Sequence, residues 1–177
     1  MDAFNRFRPQ RLGLASLFAA TTMLIAPMPF AAAGPYTPTE RRNLAIIKDD
    51  FDKWQAGTGS PIDSLAPDGT FEVTGDSMIA GIYTSKRDLN ARLFGPFNAR
   101  LVSGLKPTIR NVYADGDTVV AFYDGSATAH DGQPYHNTYT WFMHMRDGQI
   151  VRVEAFLDSI ALNDLWQRVA PRPDTDS

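Results

Sequence analysis

Cysteine is absent from all 177 residues. The chain therefore has no disulfide, no thiolate nucleophile and no thiolate metal ligand, and packing alone must hold it together. Histidine is scarce, with 3 residues, which leaves little for a metal site. Excess positive charge is missing: 17 basic side chains meet 20 acidic ones, a balance of −3. A mildly acidic chain without a basic cluster argues against nucleic acid as a partner. There is no Gly-x-Ser-x-Gly elbow, no glycine loop able to cradle phosphate, no internal repeat and no low-complexity segment. What is present suits one globular domain with a core of ordinary size, at 44% hydrophobic residues.

The one long hydrophobic run is N-terminal. Arg6, Arg8 and Arg11 precede an apolar stretch from Leu12 to Phe30, and Ala31-Ala32-Ala33 follows. This is the layout of a secretory signal peptide over residues 1–33, cleaved after Ala33. A retained membrane anchor is the alternative, although Pro27 and Pro29 interrupt a run already short against the roughly 20 apolar residues of a span. Removing residues 1–33, with three Arg and one Asp, leaves 14 basic and 19 acidic side chains, a balance of −5. The sequence thus predicts an exported chain, periplasmic or secreted, with one domain over 34–170 and no membrane contact after cleavage. Residues 171–177 are polar and expected to be a disordered tail.

Thr37-Pro38-Thr39-Glu40 is a helix start: Thr37 can cap, Pro38 suits the first helical position and Glu40 completes a capping box. Leu44, Ile47, Phe51 and Trp54 recur at three- and four-residue spacing, an apolar stripe on a helix that Gly57 ends. Trp54 is either part of that core stripe or a ligand contact. Ser60-Pro61-Ile62-Asp63 repeats the start signal and predicts a short second helix to about Ala66. Asp68-Gly69 turns into a short strand, Thr70 to Thr74, and the segment from Gly75 to Thr84, containing Tyr83, is expected as a loop at a pocket mouth. Ser85 to Asp88 cap a third short helix through Phe94, which Gly95-Pro96 stops. Asp158 and Ser159 head a last helix, Ile160 to Val169, with Leu162, Leu165 and Trp166 as its apolar side.

Between these helices, Lys106 to Asp158 reads as an antiparallel meander. Asp115-Gly116, Asp131-Gly132 and Asp147-Gly148 separate four runs, and Asp-Gly between alternating runs is a strong hairpin signal. Asp124-Gly125 falls inside a run and is expected as a bulge or bend. Alternation puts Tyr135, Asn137, Tyr139, Trp141, Met143 and Met145 on one face, expected to look toward the helices. His136, Thr138, Thr140, Phe142 and His144 take the other face. The two histidines are roughly 27 Å apart at about 3.4 Å per residue and cannot share an ion. Helices followed by an antiparallel sheet make an α+β domain, in which a strongly bent sheet leaves a cavity under the helices.

Three segments carry a resemblance. Leu65 to Gly81 (LAPDGTFEVTGDSMIAG), Ala114 to Val120 (ADGDTVV) and above all Tyr135 to Asp158 (YHNTYTWFMHMRDGQIVRVEAFLD) resemble SnoaL-like proteins of the nuclear transport factor 2-like superfamily. That superfamily includes ketosteroid isomerases, polyketide cyclases and limonene epoxide hydrolases. The resemblance spans about residues 38 to 168. It implies a cone: a long N-terminal helix, a curved antiparallel-rich sheet and a hydrophobic cavity between them, with pairing into homodimers through the outer sheet face. It also implies departures. Trp141 stands where isomerases and cyclases have an acidic residue, Val73 stands at the isomerase base, and Ala155 or Glu154 at the hydrolase aspartate. Shared folds host many chemistries, so the site is a separate question.

The ligand implied is a small apolar or aromatic molecule, with no cofactor and no metal. Trp54, Phe71, Val73, Tyr83, Phe122, Asn137, Tyr139, Trp141, Met143 and Ala155 are the residues expected to line the cavity. Asp124, sharing a face with Phe122 and Ser126, is the candidate general base, since a desolvated carboxylate has a raised pKa. Tyr83, Tyr139 or Asn137 is the candidate partner that orients a substrate oxygen. The alternative for Asp124 is a local hydrogen bond that stabilises the bend at Gly125. Asp158 is expected as a helix cap, and Asp76 as a solvated loop carboxylate. Three functions remain open at this point: an isomerase, cyclase or hydrolase; a binder without catalysis; and a dimerising domain whose cavity is filled by its own side chains.

Overall fold

A reciprocal cap opens the first helix. The Glu40 amide donates to the Thr37 hydroxyl at 3.2 Å and the Thr37 amide donates to the Glu40 carboxylate at 2.7 Å, with Pro38 in the first turn. Helix α1 runs Pro38–Ala56 and ends at Gly57, whose φ of 77° only glycine adopts without strain. The structure is a computed structural model that describes residues 36–172. The expected leader, 1–33, and residues 173–177 of the expected tail lie outside the described residues. Arg172 is still anchored, its amide donating to the Ala99 carbonyl at 2.7 Å.

Strands β1 (Leu65–Val73) and β2 (Gly81–Tyr83) come next. Two sequence expectations give way here. No second helix forms at Ser60, because the chain turns through residues 61–64 and enters β1 at Leu65. The segment expected to be a loop contains β2, whose Tyr83 sits opposite Phe71. Helix α2 (Lys86–Leu89), a π-helical turn (Asn90–Phe94) and α3 (Gly95–Asn98) follow without a break. Gly95-Pro96 was expected to stop the helix. The π turn instead shifts the register, so that Pro96 falls in the first turn of α3 where its missing N–H costs nothing.

The meander is as the Asp-Gly turns predict: β3 (Lys106–Asp115), β4 (Thr118–Thr128), β5 (Pro134–Arg146) and β6 (Gln149–Leu157), leading to α4 (Ser159–Arg168). The sheet order is β2-β1-β6-β5-β4-β3. The β1–β6 pair is parallel and all others are antiparallel. Leu44, Ile47 and Phe51 of α1 are buried in one continuous core with Val119, Tyr123, Trp141, Met143 and Val153. A second tie is polar: the Gly116 amide, in the β3–β4 turn, donates to Glu40 at 2.9 Å. No helix among the described residues is long and apolar enough to cross a membrane.

Gly125 does not bend β4. Pairing with β5 runs unbroken through Gly125↔Asn137, and the extra residue is Arg110, on β3. The glycine is there for space. A Cβ at this position would stand 2.8 Å from both Leu105 Cδ2 and Tyr139 Cε2. Gly125→Ala is therefore expected to destabilise the fold by about 1–3 kcal/mol through overpacking, measured as a lowered denaturation midpoint at unchanged m-value.

Asp50 is a buried carboxylate on α1. Only 5% of it is exposed, and its Oδ2 has no hydrogen-bond partner among the described residues. Burial raises its pKa, while the Ser64 hydroxyl pulls the other way. A carboxylate whose folded pKa lies above its unfolded value penalises the fold at neutral pH. That penalty is relieved as pH falls from the folded pKa to the unfolded one. Asp50→Asn is thus expected to melt higher than the parent at pH 7, with the advantage shrinking as pH is lowered through that window. Melting curves between pH 7 and pH 3 read it directly.

Candidate functional site

Directly opposed residues point to the same side of a sheet. One inward row therefore crosses the concave face: Val73 of β1, Ala155 of β6, Trp141 of β5 and Ala121 of β4 are successive partners. Trp141 stands between two alanines. Space is left beside it that no sheet side chain fills, and Trp54 of α1, Phe94 of the π turn, Phe97 of α3 and Leu162 of α4 wall it without filling it. The result is a cavity of about 830 Å³, within the roughly 300–1,000 Å³ of small-molecule sites. A cavity of this size excludes the reading in which the domain's own side chains fill it.

The deep part is aromatic. Trp54 stacks on Trp141 with ring centres 5.7 Å apart, and Phe71 and Tyr123 meet Trp141 edge-on at 5.2 and 5.6 Å. Tyr123 in turn stacks on Tyr139 at 5.0 Å. Such faces and edges complement a flat apolar ring. The rim is polar: Ser60, Asp63, Lys86, Arg87, Asn90 and Asn98 all border the opening.

Hydroxyls supply the polarity at depth. Tyr135 and Tyr139 share a hydrogen bond of 2.8 Å, and the Asn137 amide nitrogen donates to Tyr135 at 2.9 Å. The Tyr123 hydroxyl has no partner among the described residues. Burial pushes both Tyr123 and Tyr139 well above the ordinary phenol range, reinforced by Tyr135. At neutral pH these hydroxyls are hydrogen-bonding groups and cannot act as bases.

Of the residues the sequence nominates, Trp54, Phe71, Val73, Tyr139, Trp141 and Ala155 border the cavity. Met143 points inward but lies fully buried between its partners Val119 and Val153, off the cavity wall. Asn137 is a strut: it donates to the Asp158 carbonyl at 3.0 Å and accepts from the Asp158 amide at 2.9 Å, fastening the end of β6 to β5. Tyr83 is buried away from the cavity wall, donating to the Ile79 carbonyl at 2.7 Å. Its pKa is raised, mainly by burial. It closes the corner before β2 and is not placed to orient a ligand.

Asp124 and Phe122 require correction. Both point to the outer face, because Trp141 and Tyr139 look inward and pair with Ala121 and Tyr123, which leaves the alternate residues outside. Asp124 accepts from Arg110 Nε at 2.7 Å and from the Thr138 hydroxyl at 2.8 Å. The Arg110 hydrogen bond, helped by Thr138, lowers its pKa below the ordinary carboxylate value. A carboxylate so held, on the wrong side of the sheet, is neither a base for the cavity nor a cap for its own backbone. Phe122 lies under Arg110, whose guanidinium sits 5.0 Å from its ring centre.

Glu154 is likewise outside, 3.0 Å from His144 Nε2 and paired with Arg152. Asp158 caps α4 through a 2.8 Å bond from the Ile160 amide, and Asp76 is an exposed loop residue. Among the described residues no group of three His, Asp or Glu converges to hold a metal ion. Sequence reasoning missed Tyr123, Leu93, Phe94, Phe97 and Leu105 on the wall, and Lys86 and Arg87 at the rim. For Tyr123 the turn gives no signal, since a two-residue Asp131-Gly132 turn would set it opposite Thr140, and the longer connection from Thr128 to Pro134 sets it opposite Tyr139.

Solved structures share this architecture at low identity, and such likeness concerns the fold. Bal32a, from a soil-derived mobile gene cassette, aligns with a TM-score of 0.61 at 15% identity over 72% of this chain and 98% of its own. A Jannaschia protein assigned as a SnoaL-like polyketide cyclase aligns at 0.57 with 20% identity, over 73% and 96%. TerC, crystallised with polyporic acid, aligns at 0.59 with 20% identity, over 71% and 98%. No curated protein matches the chain. The SnoaL-like domain family matches residues 40–153, and with the fold and its cavity in place, the chain belongs to that family.

Proposed function

We propose that this SnoaL-like protein is exported and carries a small apolar or aromatic molecule in its cavity as a binder, without acid–base catalysis. The observation that carries the reading is the composition of the wall. About 830 Å³ is walled by Trp54, Phe71, Phe94, Phe97 and Trp141, and the one carboxylate bordering it among the described residues, Asp63, is an exposed rim residue. Below the rim no lining side chain among the described residues is an imidazole or a carboxylate, so none of them accepts a proton at neutral pH. Val73, Ala155 and Trp141, where the resemblance puts the reactive groups of isomerases and hydrolases, form the apolar row under the ligand. That TerC was crystallised with polyporic acid supports a small molecule as the occupant of this fold.

Phe142 and Phe156 meet edge-on at 6.0 Å on the outer face, with Phe156 51% exposed. This supports the expected homodimer across that face. Native mass spectrometry of the protein from its own host tests the three parts together: a chain starting at Gly34, a dimer mass, and a retained small molecule released on activation. An empty protein that takes up no aromatic probe would overturn the binding reading. Asp124→Asn is expected to leave probe affinity unchanged within about twofold, since the carboxylate is across the sheet from the ligand; a titration of parent and variant checks it.

A further inference from the structure

We infer that the ligand is an amphipathic anion, an aromatic body with one acidic group, whose body lies in the well while its head meets Lys86 and Arg87 at the mouth. The inference rests on the binding reading above and names the chemical class of the occupant.

The charge around the opening is lopsided. Two cations, Lys86 and Arg87, and one carboxylate, Asp63, border it, an excess of one positive charge on a chain whose balance is −3. Neither cation is paired with a carboxylate among the described residues. Lys86 Nζ donates to the Asp63 backbone carbonyl at 3.0 Å, which holds the ammonium at the lip without cancelling its charge. Arg87 makes no side-chain hydrogen bond or ion pair among the described residues, whereas its neighbour Arg92 is paired with Asp88 at 3.0 Å. The Asp63 carboxylate is turned to its own loop, accepting from the Ser60 amide at 2.8 Å.

The geometry therefore separates two kinds of surface: stacked aromatics at depth and uncompensated cations with amide side chains at the edge. A neutral apolar molecule would use only the first. A carboxylate, sulfonate or phenolate on a flat ring system would use both, its head remaining partly hydrated at the rim where burying the charge costs little. Lys86 and Arg87 also draw anions toward the opening before contact, an effect that salt weakens.

Two fluorescent probes with the same phenyl-naphthylamine skeleton test this: 8-anilino-1-naphthalenesulfonate, which carries the negative head, and neutral N-phenyl-1-naphthylamine. Both are titrated into the parent protein, into Arg87→Gln, into the double variant Lys86→Gln/Arg87→Gln, and into Ala155→Trp, which fills the well. The expected result is that the double variant weakens the sulfonate about fivefold, as two exposed charge contacts would. Arg87→Gln alone, which breaks no contact of the fold, weakens it by a smaller factor. The neutral probe is unaffected by either, and the charge effect shrinks in 1 M salt. Unchanged sulfonate affinity in the double variant overturns the anion inference while neutral-probe binding still upholds the cavity. Equal weakening of both probes also overturns it, because the rim would then act through shape. If neither probe responds to Ala155→Trp, the cavity itself is not the binding site and both readings fall.

Discussion

In the Ala155→Trp variant, uptake of N-phenyl-1-naphthylamine is expected to fall about a hundredfold with the fold intact. Ala155 is 1% exposed and sits in the inward row between Val73 and Trp141, so its Cβ points into the space over β6. An indole there occupies the volume a ligand ring would use and removes its stacking partners from reach. Overpacking normally costs about 1–3 kcal/mol, and because Ala155 is almost fully covered the added ring must push its neighbours aside to reach the cavity it borders, so the stability loss should lie at the upper end. Probe titration, with a thermal melt as control, measures both. Unchanged uptake in a folded variant would place the ligand elsewhere.

Trp141→Ala is expected to cost about 3–5 kcal/mol, near the low end of that range. The ring is 3% exposed and is the hub of the aromatic cluster, in contact with Phe51, Trp54, Phe71, Phe94 and Tyr123. Removing it takes away burial and edge-to-face contacts together. Because the hole would merge with a cavity already open to water, solvent fills it and the dry-void part of the penalty is reduced. Against a typical total of about 5–15 kcal/mol, the loss remains large. Chemical denaturation measures it; a change below about 1 kcal/mol would mean the cluster does not organise the core.

How much of this was legible beforehand depends on the range of each signal. The capping box at Thr37, the left-handed stop at Gly57, the three Asp-Gly hairpins and the Asp158 cap are local, and all appear where the sequence puts them. The inward set on β5 was also readable, since Tyr135 to Met145 alternates between large apolar and polar side chains with only Asn137 and Phe142 out of pattern. Strand β4 was not. Its run Val119-Val120-Ala121-Phe122-Tyr123 is apolar at both parities, so alternation cannot choose a face. Sequence alone therefore puts Asp124 on the wrong side, and the Asp-Gly pair inside the run predicts a bend in β4 whereas the extra residue, Arg110, belongs to β3.

By itself, then, the sequence determined the first and last helices, the four-strand meander, the turns, the caps, the family and the aromatic face of β5, because each is written within a few residues of chain. Tertiary structure alone decided the phase of β4, the parallel insertion of β1 beside β6, and the cavity with Lys86 and Arg87 at its mouth. Those depend on pairing between residues far apart in the chain, such as Tyr123 with Tyr139 and Val73 with Ala155. The empty volume depends on what two small alanines beside Trp141 leave unfilled once the helices are in place, and no stretch of sequence contains it.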